Sequence, residues 1–145
     1  MSTVVVVSAC LVGFPTRYDG RSDLSREVLA EAPDCTLVPV CPEQLGGLPT
    51  PRPPHYCQRG TGEDVLAGRS RVVSAEGADV SAAFLRGAQL VARLAELVGA
   101  REAWLKEGSP SCGVRWTTSA GATVAGPGVT AALLLSRGLE LRGFA

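Results

Sequence analysis

The sequence predicts an α/β fold, a mainly parallel sheet with helices on both faces, and three observations predict it. Short, β-branched or apolar runs recur at 3–9, 36–40 and 103–105. Helical patterns alternate with them, the order that implies parallel strands joined by crossovers. Each run is ended or followed by a cysteine on its C-terminal side: Cys10, Cys41 and Cys112.

Thr3–Ala9 is apolar at successive positions, as a strand buried on both faces must be. Gly13–Gly20 reads as a loop. Ser22 or Asp23 caps a helix carrying Leu24, Val28 and Leu29, with Pro33 beyond its end. Thr36–Val40 is the second strand. Pro42–Pro54 holds five prolines and two glycines and reads as a shaped loop rather than an element. Glu63–Ala67 reads as a helical turn and Arg71–Val73 as a short strand. Ser81 caps the longest helix, in which Phe84, Ala88, Val91, Ala95 and Val98 form one apolar stripe and Gly99 is the C′ residue. Ala103–Leu105 is the next strand, followed by the Glu107–Gly113 loop. Val114–Ala125 reads as a hairpin and Ser119–Gly128 is small and glycine-rich. Val129–Arg137 is a helix ending at Gly138, and Leu139–Leu141 a last strand. Residues 1–145 are expected to form one Rossmann-like domain, with its site outside the carboxyl ends of the strands.

Composition narrows the partners. Lys+Arg and Asp+Glu number 14 each, so no long-range field steers DNA to the surface, and the few aromatics argue against RNA as a partner. No apolar run reaches the roughly 20 residues of a membrane span, and Met1–Ala9 lacks the basic start of a secretory signal. The expectation is a cytoplasmic protein acting on a small molecule. Five cysteines at scattered spacings do not make a disulfide framework. In a reducing compartment clustered cysteines bind metal or do chemistry.

In a parallel sheet the thiols of Cys10, Cys41 and Cys112 share one rim. Three thiolates there hold a metal or an iron–sulfur cluster and leave one coordination position open, the pattern of a catalytic rather than a structural site. A zinc site is the alternative, with Cys57 or His55 as fourth ligand. Cys35 precedes the second strand and belongs to the other rim, roughly 20 Å from Cys41 at ~3.3 Å per residue. Glu43 is either a general acid or base beside the thiolates or a solvated loop glutamate. Ser109 and Ser111 orient a substrate carbonyl or water, or make local turn hydrogen bonds. Asp19 in Arg17-Tyr18-Asp19-Gly20 is a turn carboxylate, or faces the site because its loop follows Cys10.

Five segments occur together: SACLVGFPTRYDG (8–20), VCPEQLGGLPTPRPP (40–54), DVSAAFLRGA (79–88), LKEGSPSCG (105–113) and GPGVTAALL (126–134). In order and spacing they resemble the bacterial thiouracil desulfidase family, from about Val4 to Leu141. The resemblance implies a [4Fe-4S] cluster held by Cys10, Cys41 and Cys112, with one iron carrying no protein ligand. It implies replacement of the sulfur of a thiolated pyrimidine by oxygen, with release of sulfide and no net redox change. By the same resemblance Glu43 is the proton donor or acceptor, Ser109 positions substrate or water, and Asp19 belongs to the site. Two departures stand out. Thr16 occupies a position where related sequences often carry a further Cys, and Val114–Ala125 is shorter and poorer in aromatics. The second bears on substrate preference rather than on reaction type.

Overall fold

A computed structural model describes residues 3–145; Met1 and Ser2 of the Met1–Ala9 stretch lie outside them. Four strands, β1 (Thr3–Ser8), β2 (Cys35–Val40), β5 (Glu102–Lys106) and β8 (Glu140–Phe144), form a sheet in the order β2-β1-β5-β8. Every pairing in it is parallel. Successive side chains of β1 point to opposite faces, yet Val5, Val6 and Val7 are all fully buried. Each such burial is worth about 1.5–3 kcal/mol, so both faces must be covered.

One face packs on α4 (Ser81–Val98) and α5 (Val129–Ser136), burying Val6, Val91, Ala95, Leu105 and Leu134 together. On the other, Val5, Val7, Leu11, Trp104 and Phe144 gather with Val28 of the short helix α1 (Arg26–Glu31). Helices on both faces of a parallel sheet are therefore observed. No helix among the described residues is long and apolar enough to cross a membrane.

A second sheet, which the sequence did not reveal, has the order β4-β3-β6-β7. Its strands are β3 (His55–Cys57), β4 (Val72–Ser74), β6 (Trp116–Ser119) and β7 (Ala122–Ala125). β4 matches the short strand expected at Arg71–Val73, and β6 and β7 the hairpin expected within Val114–Ala125. β3 is too short to show a period, and its contact with β6 rests on the single long-range pairing Cys57↔Ser119. The β6–β7 hairpin turns through Ala120 and Gly121, both at positive φ (46° and 80°), which suits the right-handed twist of the strands. The helix α3 (Gly62–Leu66) closes this part with a capping box from Thr61 and Asp64.

Three local expectations change. The cap of α1 is Ser25, whose Oγ accepts the N–H of Val28 at 3.3 Å. Asp23 instead pairs with Lys106 and Arg17, and Leu24 stays exposed outside the helix. Ser81 is the first residue of α4 rather than its cap; its Oγ accepts the N–H of Val72, while Asp79 Oδ1 accepts the N–H of Ser81. The proline-rich segment opens with a helical turn, α2 (Pro42–Leu45). Proline is tolerated there because the first N–H of a helix has no intrahelical partner.

The turn α2 lies directly on α4. A Cβ on Gly87 would sit 2.0 Å from the carbonyl oxygen of Pro42, and one on Gly46 2.0 Å from that of Ala83. Alanine improves helix propensity by about 0.8–1.0 kcal/mol over glycine, but a clash with backbone is not relieved by turning a side chain. Gly87→Ala is expected to lower the unfolding free energy by about 1–3 kcal/mol, the usual cost of overpacking. Urea unfolding checks this; an unchanged or higher midpoint would mean that α2 can lift off α4 freely.

Candidate active site

Three strand ends of the large sheet, those of β1, β2 and β5, each place one sulfur at the rim. After β1 the chain winds into a single 3-10 turn, Ala9–Val12, in which Cys10 is buried. After β2, Cys41 is the N-cap residue of α2. After β5 the loop doubles back and buries Cys112. That loop is tightly held. Ser109 Oγ accepts the N–H groups of Ser111 and Cys112 at 3.0 and 3.1 Å, and the hydroxyls of Ser111 and Thr130 share a 2.8 Å bond. The buried Glu107 accepts the N–H groups of Val114 (2.7 Å) and Arg115 (3.0 Å), tying the root of the β6–β7 hairpin to the same loop.

The three thiols line one cavity of about 390 Å³, together with Glu43, Ser109, Arg52, His55 and Lys106. Glu43 projects from the first turn of α2. Its Oε2 stands 3.4 Å from Nη2 of Arg52, and the arginine side chain is 4% exposed. The same guanidinium donates to the carbonyls of Thr16 (3.1 Å) and Pro49 (3.3 Å) and to Thr50 Oγ1 (2.9 Å), and Nη2 lies 4.0 Å from Cys41 Sγ. Arg52 was not singled out from the sequence. The available signal was an arginine among five prolines, since prolines leave carbonyls without ladder partners and Arg supplies five donors. Lys106, also not singled out, pairs with Asp23 and draws the Cys10 thiol down against the stronger upward push of burial.

Asp19 is not among the residues that line the cavity, although its neighbours Arg17 and Tyr18 are. Its carboxylate accepts the N–H of Arg21 at 3.0 Å and lies 3.7 Å from Arg17, which is the turn role. Cys35 opens β2 and so stands at the far rim. Cys57, the last residue of β3, is fully buried with Val65, Val72 and Phe84 and is not among the residues that line the cavity. Of the two residues considered as a fourth ligand, only His55 reaches the cavity.

Electrostatics set the state of the metal-free thiols. Burial pushes Cys10 up to about 11. Cys112 rises well above its ordinary value, first from complete burial, then from Glu43 and from the two other thiols. Burial also raises Cys41, with Glu43 adding to it and the N–H groups of Gln44 and Glu43 opposing. Three buried thiols, each with its proton affinity raised, form a donor set that a cationic group can ionise by replacing the protons.

A single ion is a poor match for that set. Tetrahedral zinc with Zn–S near 2.3 Å needs sulfurs about 3.8 Å apart. Among the described residues no three Cys, His, Asp or Glu side chains converge closely enough for one ion. Three thiols sharing one cavity fit a polynuclear iron–sulfur cluster, whose ligands sit on different irons. The zinc alternative is accordingly not favoured.

A parallel α/β sheet with a three-thiol cavity at its carboxyl rim defines a cluster-binding enzyme rather than a structural metal domain. Residues 5–143 match the model of the 2-thiouracil desulfurase family, and the chain belongs to that family. It is 41% identical over 141 residues to the uncharacterized protein YbbK of Bacillus subtilis, covering 95% of this chain and 93% of that one. Among solved structures it is similar to the [4Fe-4S]-dependent thiouracil desulfidase TudS, at a TM-score of 0.84 and 41% identity. That match covers 98% of this chain and 91% of the other.

Cys57 gives a pH test independent of the cavity. Burial, with a smaller push from Asp64, lifts its thiol from 9.0 to about 11. The unfolded chain releases this proton near 9 while the folded chain keeps it to about 11. The folded state therefore binds more protons in that window, and stability falls as pH rises through it. Urea midpoints of metal-free protein are expected to fall across the window, and more shallowly in Cys57→Ala.

Proposed function

We propose that this chain is a [4Fe-4S]-dependent desulfidase that converts a small thiolated pyrimidine, with 2-thiouracil as the model substrate, into its oxo counterpart. Residues 1–145 act as one catalytic domain, and five free thiols suit a reducing cytoplasm. The observation that carries the reading is the meeting of Cys10, Cys41 and Cys112 in one cavity that also holds a carboxylate. Overall, C=S and water become C=O and hydrogen sulfide, with no change in oxidation state.

Cys10, Cys41 and Cys112 are the residues that hold the cluster. When bound, the cluster supplies a thiophilic Lewis acid at the iron without a protein ligand. Glu43 manages the proton of the attacking water. Its Oε2 is occupied by Arg52, and its Oε1 has no hydrogen-bond partner among the described residues and is free to accept. Ser109 Oγ already accepts two N–H groups, which leaves its own O–H to donate into the cavity. In this reading Ser109 orients the substrate or water. Asp19 acts indirectly, by shaping the turn that presents Arg17 and Tyr18 to the cavity wall.

Protein prepared without oxygen is expected to be coloured and to carry four irons and four sulfides per chain. Cys10→Ala, Cys41→Ala and Cys112→Ala should each lose iron and sulfide release together. Full iron content in any one of them would remove that residue from the ligand set. Glu43→Gln should retain the iron but lower kcat on 2-thiouracil by roughly 10²–10⁴, the usual worth of a general acid–base group.

A further inference from the structure

His55 is the only histidine of the chain and opens β3, so it belongs to the small sheet rather than to the thiol-bearing rim. It nevertheless lines the same cavity as Cys10, Cys41 and Cys112. Its ring is half-buried and meets Phe84 edge-on, with centroids 5.7 Å apart and planes at 74°. Among the described residues neither ring nitrogen has a hydrogen-bond partner, although the backbone of His55 is held in the ladder opposite Ser74. The fold therefore fixes where this imidazole stands and uses none of its hydrogen-bonding capacity.

We propose that His55 is a substrate-contact residue of this site: its imidazole hydrogen-bonds the polar edge of the pyrimidine ring, while Phe84 gives an apolar surface beside it. The inference rests on the desulfidase reading above. A pyrimidine thione presents alternating carbonyl-type acceptors and N–H donors along its edge. A neutral imidazole carries one donor and one acceptor, so it can meet either kind of group. Burial, and next the positive charge of Arg52, lower the proton affinity of His55 below the ordinary 6.5, which keeps the ring neutral at physiological pH. The two nitrogens point apart, so one hydrogen bond to the ring is the expected yield.

A ligand role fits the same observations less well. A metal-bound histidine hands its second N–H to a carboxylate, a carbonyl or a water that fixes the ring. Here the protein supplies no such partner. The arrangement also gives the small sheet a task. The large sheet brings the sulfurs, and the small sheet brings His55 and Thr118 to the wall of the same cavity. The small sheet then adds a substrate contact to a site whose cysteines come from the large one.

The test uses cluster-loaded protein, with the product uracil as a non-reacting probe in calorimetry and 2-thiouracil in turnover. His55→Phe is expected to keep the native iron content, to weaken uracil binding about three- to tenfold, and to raise KM by a similar factor. That is the span of one neutral hydrogen bond. It should change kcat less than KM. His55→Gln, which keeps a donor and an acceptor, is expected to recover most of the lost binding. Native uracil affinity in His55→Phe, or equal weakness in both variants, overturns the proposal alone. Loss of iron in both variants overturns it in favour of a ligand role. Native loaded protein that neither binds uracil nor desulfurates 2-thiouracil overturns the desulfidase reading, and this proposal with it.

Discussion

The parallel pairing of β1 with both of its neighbours is the constraint on which the site depends. β1 runs beside β2 over Thr3–Ser8 and beside β5 through Val5–Val7, all in one direction. The three chains therefore leave the sheet at the same rim, and the residues just beyond them have no choice but to meet. Burial of Val5, Val6 and Val7 on the two faces makes that register costly to change, because a one-residue slip would exchange the faces of the whole strand. Two smaller devices then set where each sulfur sits. Backbone contact of α2 on α4 at Gly46 and Gly87 fixes the start of the Cys41–Glu43 segment, and Ser109 clamps the N–H of Cys112.

The second requirement is electrical. Burial first, and Glu43 in addition, make the cavity wall favour protons over open anions at Cys10, Cys41 and Cys112. Arg52 and Lys106 place positive charge against this tendency from two sides. Arg52 touches Glu43 and approaches Cys41, while Lys106 lowers Cys10. With the cysteines neutral these cations oppose no anionic sulfur, and with the cysteines ionised they do. The wall is thus better matched to the loaded state than to the empty one.

The centre of the large sheet was legible because β1 and β5 are buried on both faces and carry unbroken apolar runs. α4 was legible because eighteen residues carry a full stripe closed by Gly99 in the left-handed conformation. The convergence of the thiols followed from strand direction alone, as did the exclusion of Cys35. What the sequence hid was tertiary. Ser25 rather than Ser22 or Asp23 caps α1, and Asp23 is engaged by Lys106, more than eighty positions later in the chain. The small sheet depends on pairing between segments too short to show a period. Arg52 and His55 could not be ranked above other loop residues until the proline-rich segment had a path, since their importance comes from the wall they face.

Glu107 bears on how such an enzyme can diversify. Its carboxylate grips the backbone at Val114 and Arg115, immediately outside the loop that carries Cys112. Thr118 of the hairpin is bonded back to Gly108 of that same loop, so it is the exposed tip, residues 121–123, that can lengthen, shorten or change composition without transmitting a displacement to the sulfur. Thr118 on this hairpin still reaches the cavity. The chain thereby separates a tip free to drift from a base that must hold still.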